Sequence, residues 1–126
     1  MSGTKILIVE DEILIAEDLR NILQRTGYQV VGTASSGIEA IKKADKLRPD
    51  LILMDIRLQG DMDGVEAARQ IRSKADIPII YVTAHASVLA SLDAEDRCTR
   101  LAKPFSPSQL KTAIECILGD PHKQTQ

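Results

Sequence analysis

Short runs of apolar residues alternate along this chain with longer stretches in which apolar residues recur every third or fourth position. Lys5–Val9 (KILIV) is apolar at four consecutive positions, which predicts a strand covered on both faces. Residues 12–26 carry Ile15, Leu19, Ile22 and Leu23 at helical spacing, and Gly27 is the stop. Gln29–Ala34 (QVVGTA) predicts a second strand. Ser36-Gly37-Ile38-Glu39 predicts a capping box, with Ile38, Ile41 and Ala44 as the apolar face behind it. Pro49 disfavours helix in the residue before it and ends this element near Leu47.

The alternation continues. Residues 51–54 (LILM) predict a third strand that runs into Asp55, followed by the loop IRLQGDMDG. Asp63 caps a third helix through Glu66, with Val65, Ala68 and Ile71 as its apolar face. Residues 78–82 (PIIYV) predict a fourth strand, with proline at the first position where no ladder bond is lost. Residues 86–94 predict a short helix of small residues, and the less apolar 98–102 (CTRLA) an edge strand. Ser106-Pro107-Ser108-Gln109 combines a capping box with proline at the first helical position. The helix it opens carries Leu110, Ala113, Ile114 and Ile117 and stops at Gly119.

Five strand–helix units with short connections predict an α/β fold: a doubly wound, five-stranded parallel sheet of order 2-1-3-4-5 with five helices, flavodoxin-like. One domain is expected over residues 1–120 and a frayed polar tail over 121–126. With 126 residues, 44% hydrophobic and 27% charged, the chain can bury one core without disulfide or metal staples. A net charge of −2 provides no basic footprint, which argues against direct binding to nucleic acid or an anionic membrane. No apolar run approaches the roughly 20 residues of a membrane helix, and the start runs into acid too soon for a signal peptide. Cys98 and Cys116 form neither a disulfide framework nor a zinc pattern. They are expected to be small buried hydrophobes in a reducing cytoplasm. Arg69, Arg72 and Lys74 are expected on a solvated helix face, and His122 in the tail is expected to be inert.

In an open α/β sheet, ligands bind at the carboxyl ends of the strands. Those ends carry Glu10, Asp11 and Glu12 after the first strand and Asp55 after the third, with Thr83 ending the fourth and Lys103-Pro104 the fifth. Any one of them has an ordinary explanation: Asp11 or Glu12 as a helix cap, Asp55 as a turn residue, Lys103 as a solvated side chain. Together they crowd carboxylates at one edge, where repulsion costs a kcal/mol or more per close pair. A divalent cation relieves that repulsion, and hard oxygen ligands with few protein contacts suit Mg²⁺ or Mn²⁺.

This constellation resembles the receiver domain of two-component response regulators. The resemblance rests on ILIVEDE, the LILMDIRL strand end, MDG at 62–64, YVTA at 81–84 and LAKPF at 101–105, in order and at compatible spacing. It implies Asp55 as phosphoacceptor. It also implies that Glu10, Asp11, Asp55 and the backbone carbonyl of Arg57 hold Mg²⁺, that Thr83 and Lys103 contact the phosphoryl group, and that Pro104 follows a cis bond aiming Lys103. The implied function is a signalling switch rather than an enzyme. A phosphohistidine on a sensor histidine kinase or a histidine phosphotransfer protein would be the donor. The changed surface would be the strand over 78–82, the helix over 86–94 and the strand over 98–102; a homodimer would form through the helix over 86–94, the strand over 98–102 and the C-terminal helix.

The chain departs from the family pattern in three places. Glu10 stands where Asp is commoner, and the loop after Asp55 is one residue longer, with Gln59-Gly60 where proline is frequent. Arg100 replaces the aromatic or histidine ring that usually reports phosphorylation. Arg100 is expected to stay at the surface near Asp93, Glu95 and Asp96, with Tyr81 as a substitute ring. His85, two positions past Thr83, is either placed to shield the phosphoryl group or admit water to it, or is an exposed loop histidine; Ala84 beside it is a switch candidate. The rivals are a phosphorelay intermediate, a Mg²⁺-dependent phosphatase with an aspartyl nucleophile, and a flavodoxin. A phosphatase of that type has its nucleophile after the first strand, and a flavodoxin has a phosphate loop there that Glu10-Asp11-Glu12 would repel.

Overall fold

The computed structural model describes residues 3–84 and 100–119. Five strands, β1 (Lys5–Val9), β2 (Gln29–Ala34), β3 (Leu51–Asp55), β4 (Ile79–Thr83) and β5 (Arg100–Ala102), form one sheet in the order β2-β1-β3-β4-β5. Every pairing is parallel, and β5 is an edge strand, as its weaker apolar character predicts. Four helices cover the sheet among the described residues: α1 (Ile13–Arg25), α2 (Gly37–Leu47), α3 (Gly64–Arg72) and α4 (Pro107–Leu118). The helix expected over 86–94 lies outside the described residues, as do Cys98, His85 and the 121–126 tail.

The unbroken apolar runs of the central strands follow from this covering. Successive side chains point to opposite faces, so Leu7, Val9, Ile52, Met54 and Ile79 pack against α2 and α3. Ile6, Ile8, Leu51, Leu53, Ile80 and Val82 pack against α1 and α4 on the other face. Neither face meets water, so neither tolerates polar alternation.

The helix starts follow the capping signals. Ser36 accepts from Glu39 N at 3.1 Å, Asp63 from Glu66 N at 2.9 Å, and Ser106 with Gln109 completes a reciprocal capping box. The box expected at Ser36 is incomplete, because the Glu39 carboxylate turns to Ser35 N at 2.8 Å instead. Of the apolar face expected on α2, Ala44 is buried and Ile41 packs against the core, but Ile38 does not. Gly37, Ala40 and Ala44 face the sheet, and Ile38 is 57% exposed. Small residues let α2 approach the sheet closely, and Ile38, about 100° around the helix from Gly37, is left outside. Cys116 departs further from expectation: it is exposed on α4. It sits two positions past the buried Ile114, on the opposite side of that helix.

Gly64, the first residue of α3, seats that helix directly on the strand end. Its N–H donates to Ile56 O at 2.7 Å, and a Cβ built there would lie 2.1 Å from the Asp55 carbonyl oxygen. Backbone cannot rotate away as a side chain can. Gly64→Ala is therefore expected to lower unfolding free energy by about 2–3 kcal/mol, the upper part of the range for overpacked sites. Chemical denaturation checks this; an unchanged midpoint would show that α3 does not rest on Asp55.

Candidate functional site

Sheet order converts distant residues into neighbours. Glu10 follows β1, Asp55 ends β3, Thr83 ends β4 and Lys103 follows β5, on four adjacent strands. Glu10, Asp11 and Asp55 each offer a carboxylate oxygen, and these oxygens lie within 4.8 Å of one another. Lys103 Nζ donates to Glu10 Oε1 at 2.9 Å and to Asp55 Oδ2 at 3.1 Å. Asp55 Oδ1 accepts from Arg57 N at 3.0 Å, and Glu10 Oε2 accepts from Glu12 N at 3.1 Å. Glu12 occupies the N-cap of α1 without a side-chain cap bond, so neither Asp11 nor Glu12 plays the ordinary helix-cap role, and Glu10 Oε2 meets the N–H of Glu12. A cleft of about 270 Å³ opens beside the group, lined by Asp11, Glu12, Asp55, Arg57, Thr83, Ala84 and Lys103.

Glu10 is 4% exposed, Asp55 7% and Thr83 2%. Burial pushes the Glu10 carboxyl up to about 7; hydrogen bonds from Lys103 and Glu12 N oppose the rise, and the Asp55 charge adds to it. Burial also disfavours the Lys103 ammonium, but Glu10 and Asp55 together hold it above the ordinary lysine range. One ammonium thus faces three carboxylates. The unbalanced negative charge, the all-oxygen donor set and the open cleft fit a small hard dication such as Mg²⁺.

The structure brings Glu10, Asp11, Asp55, Arg57, Thr83, Ala84 and Lys103 together at this edge. The Lys103–Pro104 bond is cis, matching the expectation for Pro104. Arg100 is half-buried rather than at the surface, with Nε shielded from solvent, and with Leu101 it lines a groove against α4. It pairs in register with Tyr81. His85 and the acidic neighbours proposed for Arg100 lie outside the described residues. Sequence reading assigned no role to Gly64 beyond its motif, although a glycine directly after a capping aspartate is a visible signal of close backbone approach.

A family model described as the response regulator receiver domain matches residues 6–115. The transcriptional regulatory protein PdtaR of Mycobacterium tuberculosis is 42% identical over 117 residues, covering 91% of this chain and 57% of that protein. The chain spans about half the length of the curated relatives it matches. Among solved structures, the receiver domain of PhyR from Erythrobacter litoralis superposes with a TM-score of 0.84 at 32% identity, covering 96% of each chain. The receiver domain of the sensor histidine kinase PA1611 from Pseudomonas aeruginosa, solved with a magnesium ion coordinated in its active-site cleft, gives a TM-score of 0.79 at 33% identity. It covers 94% of this chain and 99% of that one.

The raised Glu10 value has a pH consequence. Ionising Glu10 is harder in the fold than in the unfolded chain, so its penalty is absent below about pH 4.5 and grows until pH 7. Lys103, raised above 10.5, contributes stability throughout that window and adds no slope there. In chelator at pH 8, Glu10→Gln is expected to melt several degrees above the native protein, at roughly 4 °C per kcal/mol. The difference should vanish at pH 4. Equal melting temperatures at pH 8 would show that burial does not strain Glu10.

Proposed function

The chain belongs to the response regulator receiver domain family, and we propose that it is a phosphorylation-driven switch that accepts a phosphoryl group on Asp55 from a phosphohistidine, with Mg²⁺. The observation that carries this reading is Asp55 itself: a carboxylate ending a central strand, hydrogen-bonded to Arg57 N and Lys103, beside two further carboxylates and an open cleft. Glu10, Asp11, Asp55 and the Arg57 carbonyl would hold the ion, and Mg²⁺, when bound, supplies positive charge to the phosphoryl oxygens.

The transfer is a substitution at phosphorus. An Asp55 oxygen forms the new P–O bond as the P–N bond to the donor histidine breaks, and the histidine nitrogen leaves with the bonding pair. Little covalent work falls to the protein, so positioning and charge carry the catalysis. Lys103 donates to Asp55 and is placed to shift from Glu10 to a phosphoryl oxygen. The Thr83 hydroxyl, at the end of the neighbouring strand, is a donor for another. Because β4 pairs Tyr81 with Arg100 and Thr83 with Ala102, a shift of Thr83 strains the β5 edge, which is the expected route to a partner surface. The donor protein would be a sensor histidine kinase or a phosphotransfer protein.

Asp55→Asn should leave the fold intact and abolish labelling by acetyl phosphate, read by intact-protein mass spectrometry; stoichiometric labelling of the variant would refute the assignment. Asp11→Ala is expected to weaken Mg²⁺ binding at least tenfold by calorimetry. Lys103→Ala should slow labelling by a comparable factor while Mg²⁺ affinity is kept or improved, since an ammonium competing for two carboxylates is removed. Equal labelling rates would take Lys103 out of the chemistry.

A further inference from the structure

The loop of residues 56–63, which carries Arg57 and is one residue longer than the family pattern, has few anchors of its own. Arg57, Gln59, Gly60, Asp61 and Asp63 are exposed, and Gly60 takes a left-handed φ of 91° with nothing against it. Two features tie its outer half to α2. Gln59 forms an isolated parallel bridge with Ser36, the N-cap of α2. Met62 lies across Gly37, the first residue of that helix. A Cβ built on Gly37 would fall 2.9 Å from Met62 Sδ, 3.0 Å from Cγ and 3.2 Å from Cβ. The last of these atoms is fixed to the loop backbone, so rotation of the methionine alone does not clear the space. Met62 and Leu58 also pack against the core between the sheet and α2.

We propose that Gly37 and Met62 are positioning residues: their contact latches the 56–63 loop to α2 and thereby holds the Asp55–Arg57 turn in the geometry that receives Mg²⁺. This rests on the reading of the site given above. The mechanism is steric. Glycine leaves a socket at the start of α2, methionine fills it, and the loop backbone between Met62 and Ile56 is kept short of slack. Ile56 is held at the inner end by its N–H bond to Val82 O at 3.1 Å, and Gly64 closes the far end on Asp55. Arg57, whose N–H bonds Asp55 Oδ1, lies between the two fixed points. Neither Gly37 nor Met62 lines the cleft.

The test compares Gly37→Ala, Met62→Ala, Met62→Leu and the Gly37→Ala/Met62→Ala pair in the full chain. Two readouts are used: Mg²⁺ affinity by calorimetry, and amide exchange of Arg57 by NMR in metal-free protein. Gly37→Ala and Met62→Ala are each expected to weaken Mg²⁺ binding 3- to 10-fold and to speed Arg57 exchange by a similar factor. Amides of β1 and β3 should be unchanged. Met62→Leu, which refills the socket, should restore both readouts to within twofold of the native protein. The double variant should be no worse than the weaker single one, because the two changes break one contact. If Gly37→Ala fails to fold, Met62→Ala against Met62→Leu decides the matter alone. Native Mg²⁺ affinity and native Arg57 exchange in Met62→Ala would overturn the latch while leaving the metal site standing. A native protein that binds no Mg²⁺ would overturn the metal site and the latch's role with it.

Discussion

One ammonium facing three carboxylates sets the terms for the rest of the molecule. Lys103 bridges Glu10 and Asp55 at ordinary hydrogen-bonding distances, and Asp11 completes the cluster. In water such an excess would be a minor matter. Here two of the acids are nearly fully covered, and close like charges at a protein boundary repel by several kcal/mol per pair. The cluster is tolerable because burial pushes Glu10 toward its neutral form and because Lys103 is shared. A dication among these oxygens would relieve the remaining repulsion.

The sheet makes that arrangement rigid. β1, β3 and β4 are apolar on both faces and enclosed by helices, so their carboxyl ends cannot slide without moving the whole core. Charges placed at the ends of such strands keep their separation. The adjustable parts are the loops that leave the strands, and the structure holds the one after Asp55 by close packing together with backbone hydrogen bonds. Gly64 sits on the Asp55 and Ile56 backbone, and Gly37 makes room for Met62. In both places a missing side chain, not an added one, brings a helix against the chemistry.

The comparisons place the chain in a family whose members couple such a site to varied outputs, and the curated relatives are about twice as long as the stretch they share with this chain. At the β4–β5 edge, Arg100 is half-buried and pairs in register with Tyr81. An arginine there cannot swing like an uncharged ring without carrying its charge along.

Local pattern was enough to identify the strands, the described helices and the capping side chains of Ser36, Asp63 and Ser106, because period, glycine stops and capping side chains act within a few residues of one another. It was also enough to put Glu10, Asp11, Asp55, Thr83 and Lys103 at one edge, since strand ends and parallel topology are one-dimensional facts. The sequence could not decide between stripes of a helix. Ile38 had the right spacing and lies outside, because α2 approaches the sheet on Gly37, Ala40 and Ala44. Nor could it show that Cys116 faces away from the core, that Glu39 would choose Ser35, or that Arg100 would be half-covered. The Lys103–Glu10 pair, 93 residues apart, the seat of Gly64 on Asp55 and the Met62–Gly37 contact exist only once separate elements are packed to van der Waals distance. Propensity and period are set by neighbours in the chain; pKa values, close approaches and the balance of charge are set by neighbours in space.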